Sequence, residues 1–133
     1  MNKTLFFKRI ILLLTKNVLN FFSMHKKETF GEALRELRFL NGFPIRKVAA
    51  ELDIDPSTLS KIERNERSAN RDHIKKLSTL FQVDEKSLLI NFLSDKITYE
   101  LIDEECSNEV LQAAEEKIKY QKQKRQRQGK LNL

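Results

Sequence analysis

Apolar residues recur every three or four positions through the middle of the chain, which predicts a series of short amphipathic helices. The pattern is clearest between residues 45 and 52. Four apolar residues there stand at i, i+3, i+4 and i+7 and form one helix face: Ile45, Val48, Ala49 and Leu52. Ala49 is small at a position where we expect this helix to cross the next one closely. Residues 53–55 then interrupt the pattern and predict a three-residue turn.

A second short helix is predicted directly after this turn. Asp55 can cap it with its carboxylate, and Pro56 suits its first position, where the missing N–H costs nothing. Leu59 and Ile62 face inward, and five polar or basic residues point outward: Ser57, Thr58, Ser60, Lys61 and Arg64. Two short helices joined in this way, the second with a small, polar and basic outer face, match a helix-turn-helix.

One helix is predicted before this pair, over residues 30–41. Thr29 and Glu32 have the spacing of a capping box, and Asn41-Gly42 supplies a left-handed stop. Its predicted buried stripe consists of Phe30, Ala33, Leu34, Leu37 and Leu40. Arg38 lies close to this stripe, where a charged group needs a partner.

Two helices are predicted after the pair, which gives five in all. The fourth runs from about residue 71 to 81 with Asn70 as its N-cap, and its inner face and closing turn are Ile74, Leu77, Phe81 and Val83. Asp84 caps the fifth helix, whose predicted buried residues are Leu88, Leu89, Phe92 and Leu93. The predicted fold class is therefore all-α, with one core of about 65 residues, a size that can fold alone.

Residues 30 to 93 resemble the Cro/repressor-type helix-turn-helix family, often called Xre-like. The matching residues run from Arg38 in FGEALRELRFLNGF through IRKVAAELDIDPSTLSKIER and Arg67 to HIKKLSTLFQV. Three positions depart from the family pattern. Asp53 and Asn65 stand where the family usually has Gly, and Ala69 stands where it usually has Pro. Asp and Asn tolerate the left-handed backbone better than most residues, so we expect the fold to be kept.

The resemblance implies a five-helix repressor-like domain that reads double-stranded DNA with its third helix. The positions that correspond to the family's base-reading residues are Pro56, Ser57, Thr58, Ser60 and Lys61. We assign six basic residues to phosphate contacts: Arg46, Lys47, Arg64, Arg67, Arg71 and Lys75. The resemblance also implies a salt bridge between Arg38 and Glu63 that ties helix 1 to helix 3.

Beyond residue 93 the resemblance ends and a helical extension is predicted. Ile97, Leu101 and Ile102 carry an apolar stripe into an acidic stretch, and Cys106-Ser107-Asn108 predicts a break with a new cap. Another amphipathic helix follows, with an apolar face formed by Val110, Leu111, Ala114 and Ile118. Such a face needs a partner. We expect a second copy of the chain, giving a homodimer, in preference to docking on the N-terminal segment or the core.

The sequence thus divides into four parts: an apolar and basic segment (1–23), the helix-turn-helix domain (24–93), an acidic extension expected to dimerise (94–116) and a basic tail (117–133). The formal net charge is +6, yet residues 84–116 hold ten acidic and two basic residues, and residues 117–133 hold seven basic and no acidic ones. We expect the tail to be a solvated helix end. The alternative is an arm that grips phosphates.

Residues 1–23 do not resemble the rest of the chain. Lys8, Arg9 and Lys16 keep the apolar runs shorter than the roughly 20 residues of a transmembrane helix, and no signal-peptide cleavage site follows. One interpretation is an amphipathic helix that docks on a partner, a membrane surface or the C-terminal helices. The other is that translation starts at Met24.

No catalytic or metal-binding pattern is found in the sequence. His25 and His73 lack further ligands at metal spacing, and we expect both to be exposed. Cys106 is expected to be a semi-buried structural thiol, and a single cysteine excludes an internal disulfide and fits a reducing cytosol. The three glycines stand apart, so no Gly-rich phosphate loop is formed. We predict no enzymatic activity, no cofactor and a cytoplasmic, nucleoid-associated bacterial protein.

Together these features predict a sequence-specific transcriptional regulator, either a repressor or an activator, whose dimer reads an approximately palindromic operator. The alternative is an antitoxin or a restriction–modification controller protein that binds its own operator. An antitoxin would also hold a protein toxin with the appended helices. A third alternative is membrane association through the first 22 residues. No small-molecule ligand is evident from the sequence.

Overall fold

The computed structural model describes residues 28–131. These residues form six helices: α1 (Phe30–Leu40), α2 (Ile45–Glu51), α3 (Pro56–Glu63), α4 (Arg71–Phe81), α5 (Glu85–Leu101) and α6 (Ser107–Leu131). Within the described residues there is no strand, and the predicted all-α class is confirmed. The interpretations of residues 1–23, Met24 and His25 lie outside the described residues.

The helix ends follow the predicted caps in all but one case. At α1, Thr29 and Glu32 form the reciprocal capping box, with the Thr29 N–H donating to Glu32 Oε2 at 2.9 Å. Asn70 accepts from the His73 N–H at 2.8 Å, and Asp84 accepts from the Ser87 N–H at 2.8 Å.

The exception is Asp55 at the start of α3. It occupies the N-cap position with an extended backbone, but its side chain makes no cap hydrogen bond, so this prediction was wrong. The Asp55 carboxylate is exposed, so hydrogen bonds from water can replace those that the helix N–H groups would donate. Pro56 nevertheless begins the helix, as predicted.

Buried apolar residues of α1 to α5 pack into one core. The largest fully buried side chains are Leu34, Val48, Leu52, Leu59, Ile74, Leu77 and Leu88. Leu40 was predicted to join them, but it is 58% exposed. It lies at the edge of the α1 stripe, in the last turn of that helix, where none of the described residues covers it. Leu89 and Leu93, on the flank of α5, are half-buried rather than buried.

The described chain falls into two units, and the boundary lies within α5. The core unit comprises residues 28–96, and the extension comprises residues 97–131. The stretch of α5 after residue 93 still contacts α1, because the Phe30 N–H donates to Asp95 Oδ2 at 2.6 Å. Burial raises the pKa of the Asp95 carboxyl, against the opposing effect of this hydrogen bond. One turn earlier, the rings of Phe30 and Phe92 pack edge to face with centroids 5.6 Å apart.

The extension consists of the end of α5, a turn and α6. The predicted break at residues 106–108 coincides with the start of α6 at Ser107. The helix runs on to Leu131, and the side chains of residues 117–130 in the basic tail are exposed. Cys106 is exposed, and its prediction as a semi-buried thiol was wrong, because no second layer of side chains in the extension covers it. Among the described helices, none has the length and apolar character needed to cross a bilayer.

Candidate nucleic-acid interface

The turn between α2 and α3 is built around a residue with left-handed backbone. Asp53 has φ +56°, at the position where the resembled family usually has Gly. The Ile54 N–H donates to the Ala49 carbonyl at 3.1 Å and closes the turn. Lys76 of α4 donates to Asp53 Oδ2 at 2.5 Å and thereby lowers the pKa of the Asp53 carboxyl. The substitution of Asp for Gly therefore adds a side-chain link from the turn to α4.

Small and branched side chains let α2 and α3 cross closely. Val48 and Ala49 of α2 and Leu59 of α3 are 0–1% exposed. Ala49 lies where the sequence predicted a close crossing, and its burial leaves no room for a larger side chain. The angle of α3 to α2 is thus set by packed apolar contacts and by the turn.

A buried ion pair holds α3 against α1. Arg38 Nε donates to Glu63 Oε1 at 2.7 Å and Arg38 Nη2 donates to Glu63 Oε2 at 2.9 Å, so the predicted salt bridge is present in bidentate form. The side chains are only 11% and 5% exposed. Hydrogen bonding to Glu63 raises the pKa of Arg38 further above its ordinary range. Arg38 Nη1 also donates to the Phe43 carbonyl at 3.3 Å, which extends the link to the loop before α2.

Gly31 and Asn65 hold the end of α3 in place, although neither was predicted to belong to the site. A Cβ atom on Gly31 would overlap the Ile62 carbonyl oxygen and would lie 2.5 Å from Asn65 Oδ1, so only Gly lets α1 approach this closely. Asn65 has φ +61° and donates from Nδ2 to Thr29 Oγ1 at 2.8 Å. A Gly inside a predicted helix indicates close backbone approach, but the sequence does not say to what.

The outer face of α3 presents short polar side chains beside one lysine. Ser57, Lys61 and Arg64 stand at i, i+4 and i+7 and are all exposed, so they form its outermost stripe. Pro56 is also exposed. The remaining two predicted base-reading residues, Thr58 and Ser60, flank the stripe and are half-buried. The five predicted residues therefore lie on one helix, but they are not equally accessible.

All six basic residues predicted to contact phosphates are exposed: Arg46, Lys47, Arg64, Arg67, Arg71 and Lys75. Two of them make contacts within the chain. Arg64 pairs with Glu66 at 2.7 and 3.1 Å, which raises the pKa of Arg64 and lowers that of Glu66. Lys47 Nζ lies 3.6 Å from the centroid of the Phe43 ring. Arg64 is thus partly neutralised by its own neighbour.

His73 was predicted to be an exposed surface histidine, and this was wrong. The side chain is half-buried, and its Nδ1 atom is buried without a hydrogen-bond partner. Burial lowers the pKa of His73, and Lys76 and Arg67 add to the effect while Asp72 opposes it. In the described part of the chain, no group of three or more potential ligands could hold a metal ion.

Comparison with known proteins agrees with this geometry. A family model described as helix-turn-helix matches residues 34–88, which contain the turn, α3 and the Arg38–Glu63 pair. These residues form a DNA-binding helix-turn-helix domain. The match lies within residues 30–93, the part of the chain that resembles the Cro/repressor-type family. No match was found among curated proteins or among solved structures.

Proposed function

We propose that the protein is a sequence-specific, Xre-type transcriptional regulator that inserts α3 into the major groove of its operator. The observation that carries this proposal is the way α3 is held. Its inner face is buried, the Arg38–Glu63 pair ties it to α1, and its outer stripe is left to solvent. A rigid helix with a free polar face is what direct reading of base edges requires.

The side chains on the outer face suggest distinct roles. Lys61 can donate to N7 and O6 of guanine, and the Ser57 hydroxyl can donate to or accept from several base edges. Thr58 and Ser60 are half-buried and suit water-mediated contacts, while Pro56 offers only apolar contact, for example with a thymine methyl. Discrimination would then rest mainly on Ser57 and Lys61, assisted by DNA shape.

Affinity would come mainly from the exposed basic residues. Each phosphate contact releases condensed counterions, so binding would weaken steeply as salt is raised. Arg46, Lys47, Arg67, Arg71 and Lys75 are the stronger candidates for these contacts. Arg64 would have to leave Glu66 before it could bind a phosphate.

The assembly we propose is a homodimer that reads an approximately palindromic operator and acts as a repressor. An antitoxin or a restriction–modification controller protein is the alternative, and the exposed apolar residues of α6 could hold a toxin instead of a second copy. Gene neighbours distinguish these contexts. A toxin gene, or a methyltransferase with an endonuclease, would favour the alternative.

Selection of bound sequences from random DNA, repeated with two variants, tests the proposal. Lys61→Ala should cost about 1–3 kcal/mol and relax the preference at one base position. Arg67→Ala should weaken all sequences alike and reduce the slope of log affinity against log salt by about 1. Lys86→Ala, which removes an exposed lysine of α5 outside the site, is the matched control and should change neither quantity.

Two outcomes would contradict the proposal. If the wild-type protein enriches no sequence, it is not a sequence-specific regulator. If Lys61→Ala alters neither affinity nor base preference, α3 is not the reading element.

A further inference from the structure

The helix α6 carries an apolar face that no other part of the extension covers. Val110, Leu111 and Ile118 are 38%, 45% and 54% exposed, and the small Ala114 lies between them. Their spacing of three and four residues puts them on one side of the helix. An amphipathic helix in this state needs a partner to cover its apolar side.

Charge is distributed very unevenly along the same part of the chain. Residues 103–116 contain six acidic and no basic residues: Asp103, Glu104, Glu105, Glu109, Glu115 and Glu116. Residues 117–131 contain seven basic and no acidic residues: Lys117, Lys119, Lys122, Lys124, Arg125, Arg127 and Lys130. The helix macrodipole favours acidic residues at the first turn and basic ones at the last, but it acts only over those turns. It does not account for blocks that together span the whole helix.

These blocks discriminate between the two ways of pairing α6 with a copy of itself. A parallel pair would align the basic block with the basic block and the acidic block with the acidic block. An antiparallel pair would align each block with its opposite. Like charges in register are destabilising, and opposite charges fix the orientation of paired helices.

The apolar residues have the symmetry that an antiparallel pair requires. Val110 and Ile118 stand four residues before and four residues after Ala114, which is one helical turn in each direction. If two copies cross at Ala114, Val110 of each copy meets Ile118 of the other. The small Ala114 side chains let the helices approach closely at the crossing point.

We infer, on the basis of the homodimer proposed above, that α6 pairs with α6 of a second copy in antiparallel orientation, centred on Ala114. Residues 107–111 of one copy then lie alongside residues 117–121 of the other, and Glu109 comes level with Lys119, twice per dimer. The turn before α6, with Asp103, Glu104 and Glu105, lies toward Lys124 and Arg125 of the other copy. The apolar face is short, so charge contributes much of the specificity and the dimer weakens as salt is raised.

The orientation determines where the single cysteine lies. In the antiparallel pair Cys106 is level with positions 121 and 122 of the second copy, and Gln121, two helical turns beyond Ala114, is the one on the contact side. The two Cys106 residues are then separated by 16 positions along the helix axis, roughly 24 Å at 1.5 Å per residue. A disulfide needs Cα atoms about 4.4–6.8 Å apart. In a parallel pair in register, by contrast, the two Cys106 residues would be neighbours.

The first experiment measures dimerisation of the full chain without DNA, by sedimentation at several protein and salt concentrations. Ile118→Lys should weaken the dimer roughly tenfold or more, because it places a charge in the apolar contact, opposite Val110 of the other copy. Tyr120→Lys is the matched control and should have little effect. Tyr120 is 63% exposed, but it lies two residues further along and so on another side of α6. Denaturation of the core unit is followed in both variants, so that loss of folding is recognised.

The second experiment reads the orientation by oxidative cross-linking. We mix the wild-type chain, which carries only Cys106, with a Cys106→Ser chain that carries Gln121→Cys. The expected product is the mixed disulfide, with little cross-linking of Cys106 to itself in wild-type protein alone.

Three results would overturn the inference. Efficient Cys106–Cys106 cross-linking would show a parallel pair. A dimer insensitive to Ile118→Lys would be formed by another surface. A chain that stays monomeric at all concentrations would leave the apolar face to a different protein or to another part of the chain. None of these measurements uses DNA, so a monomer that still selects an operator would refute the dimer and leave the regulator proposal standing.

Discussion

The core unit and the extension have the same helical spacing of apolar residues but place these residues in opposite environments. In the core unit Leu34, Leu59 and Leu77 are 0–1% exposed, whereas in the extension Ile97 and Ile118 are 50% and 54% exposed. The difference comes from chain reversal. Short helices of 7 to 11 residues turn back on one another in α1 to α4, while α6 runs for 25 residues without a reversal of the chain. Amphipathicity therefore predicts a helix, and burial requires a second layer.

Two ion pairs differ in solvent exposure in the same way as the apolar residues of the two units. Arg38–Glu63 in the core unit and Lys119–Glu115 in the extension both have a shortest distance of 2.7 Å. The side chains of the first pair are 11% and 5% exposed, whereas both side chains of the second are 67% exposed. Water and salt screen the exposed pair, so it contributes little to stability. Removing one partner of the buried pair leaves a desolvated charge without a partner, which is costly. Burial, rather than distance, decides what each pair contributes.

The largest expected effect follows from removing one partner of the buried pair. Arg38→Met should lower the free energy of unfolding of the full chain by about 3–5 kcal/mol, because Glu63 is left as an unpaired buried carboxylate. Chemical denaturation measures this loss. Lys119→Gln breaks the exposed pair and should leave the same quantity unchanged, which makes it the matched control in the other unit.

The double variant Arg38→Met with Glu63→Leu separates the cost of a stranded charge from the loss of packing. It should recover most of the stability that Arg38→Met loses, because both charges are then absent. Equal losses for Arg38→Met and Lys119→Gln would contradict the argument from burial.

A smaller effect is expected from a methyl group placed at the contact between α1 and α3. Gly31→Ala should destabilise the core unit by about 1–3 kcal/mol, because the new Cβ overlaps the Ile62 carbonyl oxygen and the helices must separate. Gly129→Ala in α6 meets no atom within 4 Å and should instead favour the helix by about 0.5–1 kcal/mol. Thermal melts and the helical signal in circular dichroism measure the two changes. A stabilised Gly31→Ala variant would show that the close contact does not exist in solution.

The smallest expected effect is a pH dependence confined to the core unit. Burial holds the pKa of His73 below its usual value of 6.5, so the unfolded chain binds a proton more readily than the folded one. The contribution of neutral His73 to the free energy of unfolding is fully present above pH 6.5. It is lost as the pH falls through the lowered pKa of His73 in the folded state. The variant His73→Gln, denatured at pH 7.5 and at pH 5.5 beside wild type, should show a smaller loss on acidification. An equal loss in both proteins would contradict the assignment.

Much of the fold and part of the site could be predicted from local patterns. The spacing of apolar residues predicted the helices, and Thr29, Asn70 and Asp84 were recognised as caps because each acts on N–H groups two or three residues away. The Arg38–Glu63 pair is non-local, and only the family resemblance predicted it. The predicted reading face is on α3, although the half-burial of Thr58 and Ser60 was not foreseen.

Apart from the local cap predicted for Asp55, the predictions that were wrong concern what lies next to a residue in space. Leu40 and His73 stand near the borders of helical stripes, and the neighbouring elements leave Leu40 exposed and cover Nδ1 of His73. Cys106 was expected to be partly covered, but the turn that holds it has no second layer.

Gln82 takes a left-handed backbone, with φ +53°, to end α4, although its side chain carries no signal for this conformation.

The sequence by itself determined the all-α class, the starts of most helices and the polar and basic character of α3, because these depend on residues within one or two turns of each other. The tertiary structure alone decided that Gly31 must lack a side chain, that Glu63 is desolvated and that Nδ1 of His73 is buried. Each of these depends on distances between residues far apart in the chain, and such distances exist only once the helices have packed.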